Sequence, residues 1–225
     1  MALYIDSAYL PEIKEVAEIV PVAGVTTNPT ILLAAQERGQ NITPSELIGE
    51  LLRERIGSIF MQPGEVDAEK MLQQATSYLE ADKDRVIAKI PMTLTGMRVA
   101  RRLKQEKYRV AFTAVASVAQ AYSAAMSQAD FIIPYFNRLE RSGIDAREQI
   151  AEMAELFHNQ QLTTRILVAS IKSREEAVAA LAAGAHDITA APQVLLDMVT
   201  DPLTEEAIEK FSNDWQKLIS GPRKS

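Results

Sequence analysis

The sequence predicts an α/β protein folded as a closed (β/α)₈ barrel (a TIM barrel) with an extra C-terminal helix. Short apolar runs of strand length recur eight times, and segments of helical character lie between them. A doubly wound open sheet has the same alternation, but it would normally show a glycine-rich turn after the first strand, and this chain has none. No linker or charge block divides the chain, so we expect one domain over residues 1–225.

The predicted strands are short runs rich in Val, Ile, Phe and Thr. They cover residues 3–5, 24–26, 58–61, 86–90, 110–113, 131–133, 166–169 and 187–189. The predicted helices have apolar residues at three- and four-residue spacing. They cover residues 11–20, 44–55, 67–80, 95–105, 115–127, 145–159, 173–183 and 192–198. In the segment 173–183, Ser173 suits the N-cap position and Gly184 the C-terminal cap.

A further amphipathic helix is predicted over residues 204–219, after the eighth strand–helix unit. Its apolar side carries Ile208, Phe211, Trp215, Leu218 and Ile219. An apolar stripe of this size needs a covering surface. The pattern does not decide between two covering surfaces, namely the barrel of the same chain and a neighbouring subunit.

Composition limits the classes of function. No apolar run approaches the roughly 20 residues of a membrane span, so we expect a soluble protein without a membrane partner. Residues 1–6 lack the basic region and apolar stretch of a signal peptide, which predicts a cytoplasmic location. A net charge of −6 argues against a nucleic-acid-binding surface. With no cysteine and two histidines, disulfides, zinc-thiolate sites and His-rich metal centres are not expected, and a metal-dependent mechanism would have to use carboxylates.

Polar side chains end almost every apolar run. Barrels of this class build their active site at the carboxyl ends of the strands, so these side chains are expected to meet at one site. In chain order they are Asp6, Asn28, Gln62, Lys89, Thr113, Tyr135, Arg138, Ser170 and Lys172.

Lys89 is the most informative of them, because it is the single amine in the apolar run 86–91. Burying an unpaired ammonium is costly, so such a lysine is near an edge, paired, or kept neutral for chemistry. A neutral lysine can attack a carbonyl and form a Schiff base. From this run alone, a side chain that reaches solvent from the strand end is an equal alternative.

Several segments resemble the transaldolase family, and within it the fructose-6-phosphate aldolase branch. The most specific is the Thr-Thr-Asn-Pro run at 26–29, followed by the Lys-Ile-Pro run at 89–91. The resemblance covers nearly the whole chain. It implies a class I aldolase that needs no cofactor, with Lys89 as the Schiff-base lysine. The implied reaction is reversible cleavage of fructose 6-phosphate to dihydroxyacetone and glyceraldehyde 3-phosphate.

The resemblance also implies roles for the other residues. Tyr135 would be the general acid and base, with a water held by Gln62 and Thr113. Gln62 stands where transaldolases carry glutamate, and Tyr135 where they tend to carry phenylalanine, so both favour the aldolase. A transaldolase that transfers a dihydroxyacetone unit is the alternative activity, and a sugar-phosphate-binding barrel without turnover is the alternative of another class.

The remaining residues are expected to bind substrate. Asp6 and Asn28 would orient the hydroxyls of the donor, and Asp6 would also be catalytic by assisting proton transfer. The alternative for Asp6 is a cap of the helix predicted from residue 11. Arg138 and Ser170 would hold the phosphate, because a guanidinium offers a bidentate fork. Lys172 would help them, aided by backbone donors at the start of the following helix, or would be a solvated surface charge.

Two further expectations follow from the resemblance. Ile133 stands where relatives commonly have alanine or serine, which puts the donor preference in question. The resemblance also implies a ring-like homo-oligomer, for which a decamer is one form, with the helix 204–219 packed on a neighbour.

Overall fold

The computed structural model describes residues 1–220, in which eight parallel strands close into a barrel in chain order. Residues 221–225, which the predicted domain includes, lie outside the described part. The strands are β1 (Ala2–Asp6), β2 (Gly24–Thr26), β3 (Ser58–Met61), β4 (Val86–Pro91), β5 (Val110–Val115), β6 (Phe131–Pro134), β7 (Arg165–Ile171) and β8 (Asp187–Ala190). Because β8 pairs with β1, no sheet edge is left, and the predicted barrel is confirmed.

Helices connect the strands on the outside of the barrel. They are α1 (Leu10–Ile19), α2 (Pro29–Glu37), α3 (Pro44–Arg53), α4 (Ala68–Leu79), α5 (Leu94–Gln105), α6 (Val118–Met126), α7 (Phe136–Arg141), α8 (Ala146–Asn159), α9 (Arg174–Ala182), α10 (Pro192–Asp197) and α11 (Pro202–Ser220). Ser173 caps α9, as predicted, by accepting a hydrogen bond from the amide of Glu176 at 3.2 Å.

The sequence did not predict α2 and α7. Their residues give little helical periodicity, since α2 is mostly apolar and α7 has only six residues. Both begin directly after a residue of the predicted site, Asn28 for α2 and Tyr135 for α7. These two helices therefore fix the direction in which the chain leaves the carboxyl ends of β2 and β6.

Strands β5 and β7 are longer than predicted because each contains a bulge near its carboxyl end. Ala114 has a φ of 58°, and the register of β5 against β6 shifts between Thr113 and Val115. Ser170 also has a φ of 58°, and β7 shifts in the same way before Ile171. Left-handed backbone is uncommon for residues other than glycine, and bulges of this kind redirect side chains at the rims of barrels. Ser170 thus lies within its strand and not after it.

A tightly packed core fills the interior of the barrel below the carboxyl ends. Tyr4 and Phe131 both make edge-to-face contacts with Phe60, at ring-centroid distances of 5.3 and 5.0 Å. At the amino ends of β7 and β8, Arg165 donates from Nε and Nη2 to the two oxygens of the buried Asp187, at 2.7 Å each. Side chains and this ion pair close the barrel from below, so a ligand site is left at the carboxyl ends.

Helix α11 does not pack on its own barrel. Within Pro202–Ser220 no residue is buried, and the large apolar side chains of this helix are between 56% and 77% exposed. The alternative that the barrel of the same chain covers this helix is therefore wrong. No helix among residues 1–220 is long and apolar enough to cross a membrane.

Candidate active site

One cavity of about 420 Å³ lies at the carboxyl ends of the strands. All nine predicted side chains line it, namely Asp6, Asn28, Gln62, Lys89, Thr113, Tyr135, Arg138, Ser170 and Lys172. The other lining residues, to which the sequence assigned no role, are Thr30, Ile31, Pro91, Ala114 and Ala169. A wider depression of about 780 Å³ lies near the amino ends beside His158 and His186 and contains none of the nine. The predicted polar residues therefore identify the smaller cavity, and not the wider depression, as the candidate active site.

Lys89 is buried in this cavity, with 1% of its surface exposed. Its Nζ atom donates a hydrogen bond to the backbone carbonyl of Thr27 at 3.0 Å. Within residues 1–220, no carboxylate lies within the 4.0 Å of an ion pair with this amine. The alternative that Lys89 reaches solvent from the strand end is wrong. An amine on the barrel interior, with a neutral acceptor and an open cavity beside it, is placed to meet a bound ligand.

The Thr-Thr-Asn-Pro run builds the acceptor for Lys89. Thr27 is anchored to β3, because its backbone amide and its Oγ1 both donate to the carbonyl of Phe60 at 3.0 Å. Asn28 caps α2 by accepting from the amide of Ile31 at 3.0 Å, and Pro29 takes the first helical position. The Oδ1 atom of Asn28 is committed to the helix, so Nδ2 is the group it can offer to a ligand.

Tyr135 and Thr113 form a hydroxyl pair on the cavity wall. The Oη atom of Tyr135 and the Oγ1 atom of Thr113 are 2.7 Å apart, and either can donate. Thr113 is buried on β5 just before the bulge at Ala114, and Tyr135 directly follows β6 as the N-cap of α7. Since a neighbouring hydroxyl holds the phenol, Tyr135 has a defined position and keeps capacity to exchange a proton with a ligand or water.

Asp6 is the last residue of β1 and accepts a hydrogen bond from the Oγ1 atom of Thr26 at 2.7 Å. The oxygen of Thr189 lies 2.6 Å from the same Oγ1 atom. The N-cap of α1 is Tyr9, so the alternative that Asp6 caps this helix is wrong. Asp6 therefore faces the cavity, supported by two buried threonines that sequence reasoning missed.

Arg138, Ser170 and Lys172 stand together on one side of the cavity. The guanidinium of Arg138 lies 4.5 Å from the ring centroid of Tyr135, a cation–π contact that directs it along the wall. The amide of Lys172 donates to Glu176 at 2.8 Å, so this backbone donor is already used within the protein. This amide is therefore not one of the backbone donors that could serve a ligand at the start of α9.

Charge on the cavity differs from charge on the whole chain. The lining residues include three basic side chains, Lys89, Arg138 and Lys172, and one carboxylate, Asp6. The chain as a whole carries a net charge of −6. A local excess of basic groups in an acidic protein suits an anionic ligand such as a phosphate ester. Within residues 1–220, no three His, Asp or Glu side chains are grouped as a metal ion would require.

Ile133 and Glu65 lie apart from the lining of the cavity. Ile133 is fully buried in the interior cluster against which Tyr135 packs, so it contributes to the floor below the site. Glu65 is exposed in the loop after β3, whereas Gln62 faces the cavity.

Fold and site together define a (β/α)₈-barrel protein with a buried lysine amine in a cavity suited to a phosphorylated ligand. The model of the Transaldolase/Fructose-6-phosphate aldolase family matches residues 3–221, and the chain belongs to this family. Over 218 residues the chain is 37% identical to a probable fructose-6-phosphate aldolase of Streptococcus pneumoniae, and the alignment covers 96% of each protein. The resemblance inferred from the motifs is confirmed.

Proposed function

We propose that this protein is a class I aldolase that reversibly cleaves fructose 6-phosphate to dihydroxyacetone and glyceraldehyde 3-phosphate. The buried amine of Lys89, which lines the cavity without an ion-pair partner within residues 1–220, is the observation that carries the proposal. The name of the relative from Streptococcus pneumoniae supports the choice of substrate, and the basic lining suits its phosphate.

Lys89 supplies the electron sink of the reaction. Its amine adds to the C2 carbonyl, water leaves, and the resulting iminium withdraws electrons from C3. The C3–C4 bond then breaks as the C4 hydroxyl loses its proton, which releases glyceraldehyde 3-phosphate and leaves an enamine on Lys89. Protonation at C3 followed by hydrolysis returns the free amine and dihydroxyacetone, so atoms and charge balance without a cofactor.

Tyr135 is the group we assign to the proton transfers. In its phenolate form the side chain can accept the C4 hydroxyl proton, directly or through a water, and the phenol so formed can return the proton to C3. The hydrogen-bonded Thr113 holds Tyr135 in place, and Gln62 faces the same cavity and can bind the water. Gln62 has no titratable proton, so it positions the water and does not act as the base.

The other lining residues are proposed to bind substrate at its two ends. Asp6 and the Nδ2 atom of Asn28 would hold the hydroxyls of the three-carbon donor. Arg138 and Ser170, with Lys172 as a helper, would hold the phosphate. The donor and the phosphate would thus lie on opposite sides of the carbon–carbon bond that breaks.

A transaldolase is the second candidate, because the family includes both activities. Release of glyceraldehyde 3-phosphate from fructose 6-phosphate, measured with and without erythrose 4-phosphate, separates the two. An aldolase turns over at full rate without the acceptor, whereas a transaldolase depends on it. Binding of fructose 6-phosphate without turnover in either assay would show a non-catalytic barrel.

We also infer that the protein forms a homo-oligomer in which a neighbouring subunit covers α11. The exposed apolar side of this helix supports the inference. The ring-like arrangement and the cytoplasmic location stay predictions from the sequence.

A further inference from the structure

We propose that Thr26 and Thr189 are positioning residues that hold the carboxylate of Asp6 for the aldol reaction. The three side chains form a hydrogen-bonded chain that runs from Thr189 through Thr26 to Asp6. The inference rests on the proposed function, because it concerns how Asp6 is presented to the donor.

Strand order brings the three residues together. Asp6 ends β1, Thr26 ends the neighbouring β2, and Thr189 lies on β8 at the other side of β1. The Oγ1 atom of Thr26 is 2.7 Å from Oδ1 of Asp6 and 2.6 Å from the oxygen of Thr189. The two threonines therefore meet across β1 inside the barrel, where both are fully buried.

The direction of the two hydrogen bonds follows from counting hydroxyl protons. A carboxylate can only accept, so the single hydroxyl proton of Thr26 goes to Asp6. Thr26 must then accept from Thr189, which is the donor at the far end. Within residues 1–220, the hydroxyl of Thr189 contacts no other partner. Each hydroxyl proton is thus directed toward Asp6.

The hydrogen bond from Thr26 determines which oxygen of Asp6 a ligand can use. Oδ1 is held by Thr26, and Oδ2 is the oxygen that remains for a substrate hydroxyl. Hydrogen bonds to a carboxylate are stronger than those between neutral groups, and a second donor behind the first strengthens them further. The carboxylate is therefore oriented before the substrate arrives.

The threonines act through Asp6 and not by contact. Neither Thr26 nor Thr189 is among the residues that line the described cavity. Valine has the same shape and would fill these buried strand positions without polar groups to satisfy. A buried hydroxyl is unfavourable unless it is hydrogen-bonded, so the pair of hydroxyls is best explained by the carboxylate that they serve.

The test measures kcat and KM for cleavage of fructose 6-phosphate in threonine variants, each with intact Asp6 and with Asp6→Leu. We expect Thr26→Val to lower kcat about tenfold and Thr189→Val about threefold, with Thr26→Ser close to the wild type. In the Asp6→Leu background, neither threonine variant should lower kcat further. Thr164→Val is the matched control, because its buried hydroxyl donates to the carbonyl of Ala129 at 2.7 Å, far from the site.

Circular dichroism and melting temperatures establish that each variant is folded. If Thr26→Val does not fold, Thr189→Val in the two backgrounds decides by itself. Equal losses in both backgrounds would indicate ordinary packing and would overturn the inference, as would an active wild type with an unaffected Thr189→Val. A wild-type protein without turnover would instead overturn the proposed function, and the positioning role with it.

Discussion

The amine of Lys89 on β4 donates to the backbone carbonyl of Thr27 at 3.0 Å, across the interior of the barrel. The partner is a neutral group that a single substitution of Thr27 would not remove. The carbonyl orients the amine at the cavity, and no carboxylate within residues 1–220 holds it as an ion pair. This relationship is the basis of the proposed Schiff-base chemistry.

Replacing Lys89 should separate activity from stability. Lys89→Met removes the nucleophile, so turnover should fall below detection. Methionine fits a buried apolar strand, and one unpaired carbonyl at Thr27 is a modest loss, so the melting temperature should stay within a few degrees of the wild type. Turnover assays and thermal unfolding check this, with Lys172→Met as a control that keeps the nucleophile. Turnover in Lys89→Met would contradict the assignment.

Two variants of the hydroxyl pair test the acid–base role of Tyr135 and the positioning of its phenol by Thr113. Tyr135→Phe removes the proposed acid and base, and kcat should fall by about 10²–10⁴-fold. Thr113→Val removes only the partner that holds the phenol, so the loss should be smaller, about tenfold, and Thr113→Ser should restore it. Steady-state kinetics with fructose 6-phosphate measure both. A larger loss for Thr113→Val than for Tyr135→Phe would show that the roles are assigned the wrong way round.

Arg138 should matter for substrates that carry a phosphate and little for those that do not. In Arg138→Gln, we expect KM for fructose 6-phosphate to rise at least tenfold, because a charged anchor is lost. The rate at which dihydroxyacetone, which has no phosphate, is trapped on Lys89 should change less than threefold. Parallel measurement of the two separates phosphate binding from catalysis. Equal losses for both ligands would place Arg138 in the chemistry and not in the phosphate site.

The partly buried imidazole of His186 should make the stability of the fold depend on pH. Burial lowers the pKa of His186 below its ordinary 6.5, the charge of Arg165 lowers it further, and Asp187 opposes them. Nδ1 accepts a hydrogen bond from the amide of Ile166 at 3.0 Å, so the neutral ring is the stabilising form. The unfolded chain binds the proton more readily, so this contribution is full above about pH 6.5 and is lost as pH falls toward the lowered folded-state pKa.

Replacing His186 tests this pH dependence. In His186→Asn, melting temperatures should change less between pH 7 and pH 5 than in the wild type. His158→Gln is the control, because His158 is exposed near the end of α8 and its removal should leave the slope unchanged. An unchanged slope in His186→Asn would show that other groups determine stability in this range.

The exposed side of α11 should control the assembly of subunits. Phe211→Ser combined with Trp215→Ser removes two large apolar side chains that are 63% and 59% exposed in one chain. We expect light scattering to show a smaller mass than for the wild type, because apolar contacts between subunits are lost. Glu206→Ala, on the opposite side of the helix, should leave the mass unchanged. An unchanged mass in the double variant would argue against the inferred interface.

That the nine polar side chains would line one cavity could be predicted from the sequence for a physical reason. In a barrel of parallel strands, all carboxyl ends meet at one edge, so a polar residue at the end of each apolar run must face the others. Lys89, Tyr135 and Asp6 could therefore be assigned to one cavity without knowledge of any distance. The strands themselves were predictable because their buried runs are apolar and β-branched.

What the sequence did not predict depends on backbone geometry and on side-chain direction. The acceptor of Lys89 is a main-chain carbonyl. Every residue has such a group, so the sequence does not show which one accepts the hydrogen bond. The bulges at Ala114 and Ser170 occur without glycine, the usual indicator of left-handed backbone. Thr26 and Thr189 resemble ordinary strand residues, because threonine suits strands whether or not its hydroxyl has a partner. Closure of the barrel is what brings these two threonines together.

Reductive trapping shows whether Lys89 forms a Schiff base with the donor ketone. The protein is incubated with dihydroxyacetone and sodium borohydride, digested, and the modified peptide is sequenced by mass spectrometry. We expect one reduced three-carbon adduct, on Lys89, with loss of aldolase activity in proportion to the labelled fraction. An active protein that is not labelled, or that is labelled on another lysine in proportion to inactivation, would contradict this expectation.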